Sequence, residues 1–357
     1  MTELGRLRGI TVHPFGARIP VEPGERLLDA ILRAGRYVPF GCNHGGCGTC
    51  VATVVSGDVE QDPATLTTLD ARSREEGRVL LCSSQLRSSD AEVDVGDTGI
   101  VESEFAGAGS VDTTTTVTDV LRPAAGLFLL RLRPPESWAP RPGQFVQLAL
   151  PGGDAWRSYS VASRAESSTV DLVIRRVEGG VFNTALDGLR PGDDVRVRGP
   201  FGAFTVRTSH RAKLFVGGGA GIGPLRPMIL QTLERGDDAP VHLVHTGRDE
   251  SDLAFREEFI ALAEKFDHFT YDPLVTVGVT PGVRGADLAA DAVDQHHSAR
   301  TLRRSEAYLC GPDAFVDRLA DHLITNGLRD RYLAADRFTA SSGSTLGVAP
   351  PQDRKSS

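Results

Sequence analysis

Three of the five cysteines, Cys42, Cys47 and Cys50, fall within nine residues, and 31 residues separate Cys50 from Cys82. No packing requirement concentrates thiols in this way. The segment Gly41-Cys42-Asn43-His44-Gly45-Gly46-Cys47-Gly48-Thr49-Cys50 must therefore be a loop that carries thiolates to a common point. Its glycines keep the loop free of Cβ atoms, so backbone N–H groups can approach what the thiolates hold. The N-terminal MTELGRLRG has no apolar secretory region, which points to a soluble cytoplasmic protein. An odd cysteine count in such a chain argues against a disulfide framework and leaves metal or redox chemistry.

Cys-x4-Cys-x2-Cys with a distant fourth cysteine is the spacing of plant-type [2Fe–2S] proteins, in which one loop supplies three ligands to two irons. A structural four-cysteine zinc site and an unliganded loop are the alternatives. Zinc sites generally use two paired knuckles, whereas Cys82 stands alone. With four cysteines filling the ligand positions, His44 reads as a solvent-exposed spacer.

At roughly 100–200 residues per domain, 357 residues suggest two or three domains. Hydrophobic residues at 40% and charged residues at 24% exclude wholesale disorder. No apolar run reaches the roughly 18–20 residues that span a bilayer. The net charge of −8, with no basic run, removes the phosphate-neutralising footprint of a nucleic-acid binder. Residues 1–112 hold ten Arg and seventeen Asp or Glu, either a solvated surface or an acidic docking face.

The hydrophobic period changes twice along the chain. Gly9 to Pro20 alternates as a strand, GERLLDAILRAG has helical spacing, and CVATVVSG and VLLCSS follow the cysteine loop. Residues 102–112 are small and polar, a linker. From 113 to 208 short strands succeed one another, TTTTVTDVL, LFLLRLRP, GQFVQLALP, RSYSVAS, TVDLVIRRV and DDVRVRGPFG, with a short helix near FNTALDGL. This spacing suggests a small antiparallel barrel. From 209 to 343 strands alternate with helices, AKLFVG, PLRPMILQTLERG, VHLVHTG, LAFREEFIALAEKF, HFTYDPLV, AYLCG and DAFVDRLADHLITNG, the signature of a parallel sheet. Residues 344–357 are composed like a disordered tail.

On these motifs residues 8–98, within a first domain spanning 1–101, resemble a plant-type ferredoxin of β-grasp fold. The remainder resembles the ferredoxin–NADP reductase superfamily. The resemblance implies a multidomain α+β and α/β chain: a ferredoxin domain, an antiparallel β-barrel flavin domain and a parallel α/β nicotinamide domain. In the barrel, Arg157-Ser158-Tyr159-Ser160 would supply a cation for the flavin pyrophosphate (Arg157), a ring over the isoalloxazine (Tyr159) and a hydrogen-bonding group near N5 (Ser160). Ile174 and Arg175 match positions where the backbone meets the flavin. Gly180, Val181, Phe182 and Asn183 follow where the superfamily has a phosphate-binding turn, with Asn183 replacing the usual Ser.

Gly217 to Pro224 (GGGAGIGP) lacks the ordinary Rossmann register but resembles the superfamily's nicotinamide loop, which assigns Gly219, Gly221, Ile222 and Pro224 to dinucleotide binding. Cys310-Gly311-Pro312 matches the motif whose cysteine lies beside the nicotinamide ring, and this accounts for the fifth cysteine. Cys310 and Ser160 are then the catalytic candidates. Arg248 would touch the adenosine ribose or a 2′-phosphate. Asp249 and Glu250 beside it favour NADH over NADPH.

Across about residues 10–343 the module order is similar to reductase components of bacterial multicomponent oxygenases, above all phenol hydroxylase-like reductases of soluble di-iron monooxygenases. VPFGCNHGGCGTC, VVSGDVE, MILQTLERGD, AYLCGP and DRFTASSG carry the likeness. In the last, Phe338 matches an aromatic near the flavin, and Asp336 stands where Glu is usual. The resemblance implies that NADH gives an electron pair to FAD (favoured over FMN), which passes electrons singly to the cluster and on to a di-iron hydroxylase. A monomer is expected. The alternatives are a reductase of a Rieske-type dioxygenase or a cytochrome P450, or a non-catalytic redox-sensing flavoprotein.

Overall fold

The computed structural model describes residues 8–96, 111–124, 126–134, 138, 140–149, 156–176, 181–236, 238–278 and 284–338. The expected linker at 102–112 lies outside them up to residue 110, and so does the tail at 344–357. Three main sheets form from three successive stretches of chain, and two short strands of the first stretch, Val59–Gln61 and Ser84–Leu86, add a small two-stranded sheet.

The first stretch contains β1 (Gly9–His13), β2 (Ala17–Pro20), α1 (Leu27–Arg33), β3 (Val51–Ser56), β4 (Val59–Gln61), α2 (Ala71–Glu75), β5 (Arg78–Leu80), β6 (Ser84–Leu86) and β7 (Asp90–Asp94). The single strand expected over Gly9 to Pro20 is instead a hairpin. Gly16, at φ 63°, reverses the chain, and its N–H donates to the Val12 carbonyl at 2.9 Å. The sheet runs β2-β1-β7-β3-β5 with β1 and β7 parallel. Leu27, Leu28 and Ile31 of α1 are fully buried against it with Ile10, Val12 and Val93.

β8 (Val111–Ala124), β9 (Leu127–Leu132), β10 (Phe145–Ala149), β11 (Trp156–Ser160), β12 (Val170–Arg175), α3 (Val181–Gly188) and β13 (Asp194–Phe201) make the second unit. The antiparallel order is β11-β10-β13-β8-β9-β12, and a bridge between Val161 and Leu172 joins its two ends, closing a barrel. β8 is 14 residues long, more than the short strand expected. Its first half pairs with β13 and its second with β9, so one strand serves both halves of the barrel.

The third unit comprises β14 (Ala212–Gly218), α4 (Ile222–Glu234), β15 (Val241–Gly247), α5 (Arg256–Lys265), β16 (Phe269–Val275), α6 (Gly285–His296), α7 (Ala299–Leu302), β17 (Ser305–Pro312), α8 (Asp313–Thr325) and β18 (Leu333–Phe338). All five strands are parallel in the order β16-β15-β14-β17-β18. Helix α5 starts later than LAFREEF suggests, because Phe255 adopts a left-handed φ of 63°. The sequence reading missed α6 and β18. Helix α6 buries mainly alanines, Ala286, Ala289, Ala290 and Ala292, too faint a stripe to stand out. No helix among the described residues is long and apolar enough to cross a membrane.

Candidate electron-transfer site

The cysteine loop leads into β3 of the first sheet. Cys42 and Cys47 are half-buried; Cys50 and Cys82, the latter in the turn Leu81–Ser83, are buried. N–H groups of His44, Gly46 and Cys47 point at Cys42 Sγ at 3.5, 3.3 and 3.3 Å, and Cys42 N–H points at Cys47 Sγ at 3.4 Å. A hydrogen bond from Cys47 lowers the Cys42 thiol to about 6, and the same bond raises Cys47. The Cys82 thiol is likewise raised, first by its hydrogen bond with Cys50.

The four thiols thus form two pairs, Cys42 with Cys47 and Cys50 with Cys82. A tetrahedral zinc ion would hold four sulfurs about 3.8 Å apart. Among the described residues no three cysteines bring their sulfurs within 4.8 Å of one another. The donor set suits two metal ions, each held by one pair, better than a single tetrahedral zinc ion. Close packing explains Gly45: a Cβ there would lie 2.4 Å from Thr65 Cγ2. His44 is half-buried rather than a solvent-exposed spacer, and its contribution to the thiolates is its backbone N–H.

Strand β11 carries the Arg-Ser-Tyr-Ser run. Strand alternation puts Arg157 and Tyr159 on one face and Ser158 and Ser160 on the other. Burial raises the Tyr159 phenol, and buried Ser160 pairs in register with Phe145. The sequence reading passed over Ser158, whose Oγ–H donates to the Gly41 carbonyl at 2.6 Å. That bond fastens the cysteine loop to the strand expected to hold the flavin. Its sequence signal was its place between two assigned residues.

Around this bond, Tyr37 and Phe40 from the first unit meet Phe145 and Phe201 of the barrel, with ring centroids 5.1–6.5 Å apart. Arg198 of β13 donates to Asp29 of α1 while its guanidinium lies 4.4 Å from the Trp156 ring centroid. Gly180 lies outside the described residues. Val181, Phe182 and Asn183 form the first turn of α3, whose N-terminal amides suit phosphates.

The glycine loop follows β14, and α4 opens at Ile222 with Pro224 in its first turn. A Cβ on Gly221 would lie 2.1 Å from the Cys310 carbonyl oxygen. Arg175 Nη1, at the end of β12 beside Ile174, lies 2.9 Å from the position of a Cβ on Gly219. Strand β12 and the glycine loop therefore touch. Cys310 is fully buried, which pushes its thiol up.

Next to β17, the missed strand β18 sets Asp336 opposite Cys310, Arg337 opposite Gly311 and Phe338 opposite Pro312. Burial, aided by nearby Cys47, raises the Asp336 carboxyl to about 6. The Tyr37 phenol is raised by burial and by Asp336. One carboxylate thus has the cysteine loop on one side and Cys310 on the other.

Arg248 is exposed, and its Nε donates to Asp252 at 3.0 Å, so its charge is already met. A cleft of about 450 Å³ opens nearer the glycine loop, lined by Arg284, Asp287, Phe315 and Arg318. Its Phe315 ring packs against Gly218 and Gly311. The sequence reading missed this cleft, since its residues come from the starts of α6 and α8.

Three family models match the chain in succession. They are a 2Fe-2S iron-sulfur cluster binding domain over residues 10–87, an oxidoreductase FAD-binding domain over 118–206 and an oxidoreductase NAD-binding domain over 215–321. The chain is 34% identical over 347 residues to the reductase component DmpP of phenol 2-monooxygenase from Pseudomonas sp. strain CF600, covering 94% of this chain and 95% of that one. It is 32% identical over 341 residues to the reductase component of propane 2-monooxygenase from Rhodococcus jostii, covering 93% and 91%. Among solved structures it is similar to the Amycolatopsis cytochrome P450 reductase GcoB, with 32% identity, a TM-score of 0.79 and coverage of 94% and 100%.

Proposed function

Because the chain belongs to the family of reductase components that join [2Fe–2S], FAD- and NAD-binding domains in oxygenase systems, we propose that it supplies electrons from NADH to the di-iron hydroxylase of a multicomponent monooxygenase. When bound, NADH gives two electrons together, FAD takes the pair and releases them singly, and the cluster carries one at a time. The chain's own residues bind, orient and insulate these groups. The observation that carries the reading is the 2.6 Å bond from Ser158 to Gly41, which sets the cysteine loop on the flavin strand.

Cys42, Cys47, Cys50 and Cys82 hold the cluster. Arg157 meets the flavin pyrophosphate together with the α3 amides of Val181, Phe182 and Asn183, preceded by Gly180. Tyr159 covers the ring, Ser160 bonds near N5, and Ile174 and Arg175 border the flavin. Gly219, Gly221, Ile222 and Pro224 cradle the dinucleotide pyrophosphate, with Cys310, Gly311 and Pro312 around the nicotinamide and Phe338 near the flavin. Arg284 and Arg318 flank the cleft that would take the adenosine half. Arg248 is paired with Asp252, and Asp249 and Glu250 beside it would repel a 2′-phosphate, which favours NADH. The protein acts in the cytoplasm, where NADH is made, as a monomer.

Reconstitution tests the partner. The holoprotein, NADH and the purified subunits of a di-iron phenol or alkane hydroxylase should give NADH-dependent hydroxylation. Support of only a Rieske-type dioxygenase or a cytochrome P450 would overturn the assignment of partner.

A further inference from the structure

On the parallel sheet of the third unit, a set of imidazoles and a carboxylate converges that the electron path does not use. His242 of β15 is buried, at 5% exposure. In the β15–β16 register Asp272 lies opposite Val244, two residues along from His242, so both side chains leave the same face of the sheet. Val244 packs on that face with the alanines of α6, and α6 ends at His296.

Three donor atoms meet there. His242 Nε2 is 2.9 Å from Asp272 Oδ2, and His296 Nε2 is 3.3 Å from the same oxygen. All three donors lie within 4.8 Å of one another, the only such group of three or more among the described residues. Behind them His297 Nε2 is 2.9 Å from His242 Nδ1, its ring stacked on that of His242 at 5.2 Å between centroids.

We propose that His242 Nε2, Asp272 Oδ2 and His296 Nε2 form a binding site for one divalent transition ion of the zinc class, with His297 as the outer partner that orients His242. The spacing already suits the ion. Bonds of about 2.0–2.2 Å to nitrogen and oxygen in a tetrahedron put neighbouring donors about 3.4 Å apart, close to the two distances here. Two imidazoles and a carboxylate select zinc and its neighbours over calcium or magnesium, which prefer all-oxygen sets. A fourth position faces outward beside half-exposed His296 and can hold water.

His297 gives the outer contact typical of a ligating histidine. When Nε2 of His242 binds metal, its proton resides on Nδ1 and is donated to His297 Nε2. The sequence distributes these groups over residues 242, 272 and 296–297, without a short zinc motif. Only the packing of α6 across β15 and β16 brings them together. The ion would tie the end of α6 to two strands, strengthening this face of the nicotinamide unit.

The test uses the intact holoprotein, because an emptied cysteine loop would itself take zinc. After dialysis against micromolar zinc chloride and then metal-free buffer, zinc, iron and flavin are counted on the same sample. The expected result is about one zinc per chain with iron and flavin unchanged. His296→Ala should lose the zinc while keeping iron, flavin and NADH–ferricyanide activity. His297→Ala should weaken competition against a chromophoric chelator about 10- to 100-fold. No retained zinc in the wild type, zinc gained only as iron is lost, or equal zinc in His296→Ala would each overturn the proposal and leave a hydrogen-bonded cluster alone.

Discussion

Replacing Gly221 by alanine puts a methyl carbon 2.1 Å from the Cys310 carbonyl oxygen and 2.6 Å from its carbonyl carbon. Real Cβ contacts essentially never fall below 3.0 Å, so the glycine loop and β17 must separate by about 0.9 Å (3.0 − 2.1). Both sides are backbone, so no side chain can rotate away. The strain costs about 1–3 kcal/mol of stability, as overpacking generally does. The functional loss should be larger, because the shift parts the glycine loop proposed to hold the dinucleotide from the Cys310 motif. Misplacement by about 1 Å in a reacting pair can cost about 10²-fold.

The assay is steady-state NADH oxidation with ferricyanide, joined to anaerobic stopped-flow bleaching of flavin absorbance. Gly221→Ala should lose about 10²-fold in kcat/KM for NADH while retaining its flavin and iron–sulfur spectra. Gly188→Ala, whose added methyl meets nothing within 4 Å, is the control. If Gly221→Ala keeps kcat/KM within about threefold of wild type, the loop and β17 are not held rigidly together.

Cys82→Ser removes one of the paired thiols; iron content and cytochrome c reduction should collapse while NADH–ferricyanide activity, which needs only the flavin, persists. Asp29→Ala deletes the charge-assisted bond from Arg198 between the first unit and the barrel, worth about 1.5–3 kcal/mol. It should slow cluster reduction in stopped flow without changing flavin bleaching by NADH; equal slowing of both would show that Asp29 does not act on docking. His245 is fully buried and held down to about 4 by burial, so it stays neutral in the folded chain. The unfolded chain binds a proton there below about 6.5, so stability falls as pH drops from about 6.5 toward 4, by up to about 3 kcal/mol. Urea melts between those pH values should show a shallower acid decline in His245→Gln, and an unchanged slope would refute this.

Much of the site was legible because its chemistry is local in sequence. The cysteine loop, the Arg157 strand and the glycine loop each depend on glycine, charge or thiol at fixed spacing, and each lies where that spacing implies a turn or strand end. What escaped depends on long-range packing. Ser158 matters because the Gly41 carbonyl happens to face it, across 117 residues of chain. The Arg284–Arg318 cleft and the His242–Asp272–His296 group each draw on segments that meet only in the folded sheet. Strand β18, reading LAADRF, lacks the β-branched residues that mark a strand. It takes its place because β17 offers a parallel edge. The hairpin at Gly9 to Pro20 was missed because its turn keeps the alternation going.

Strand β18 also has a consequence in time. It follows every other strand in chain order among the described residues, yet Asp336 stands between the cysteine loop and Cys310. Translation therefore completes both of those neighbours before it delivers the residue that joins them. A nascent chain long enough to fold the first two units still lacks this wall. Maturation therefore runs from the first unit toward the third, and the strand that carries Asp336 takes its place last.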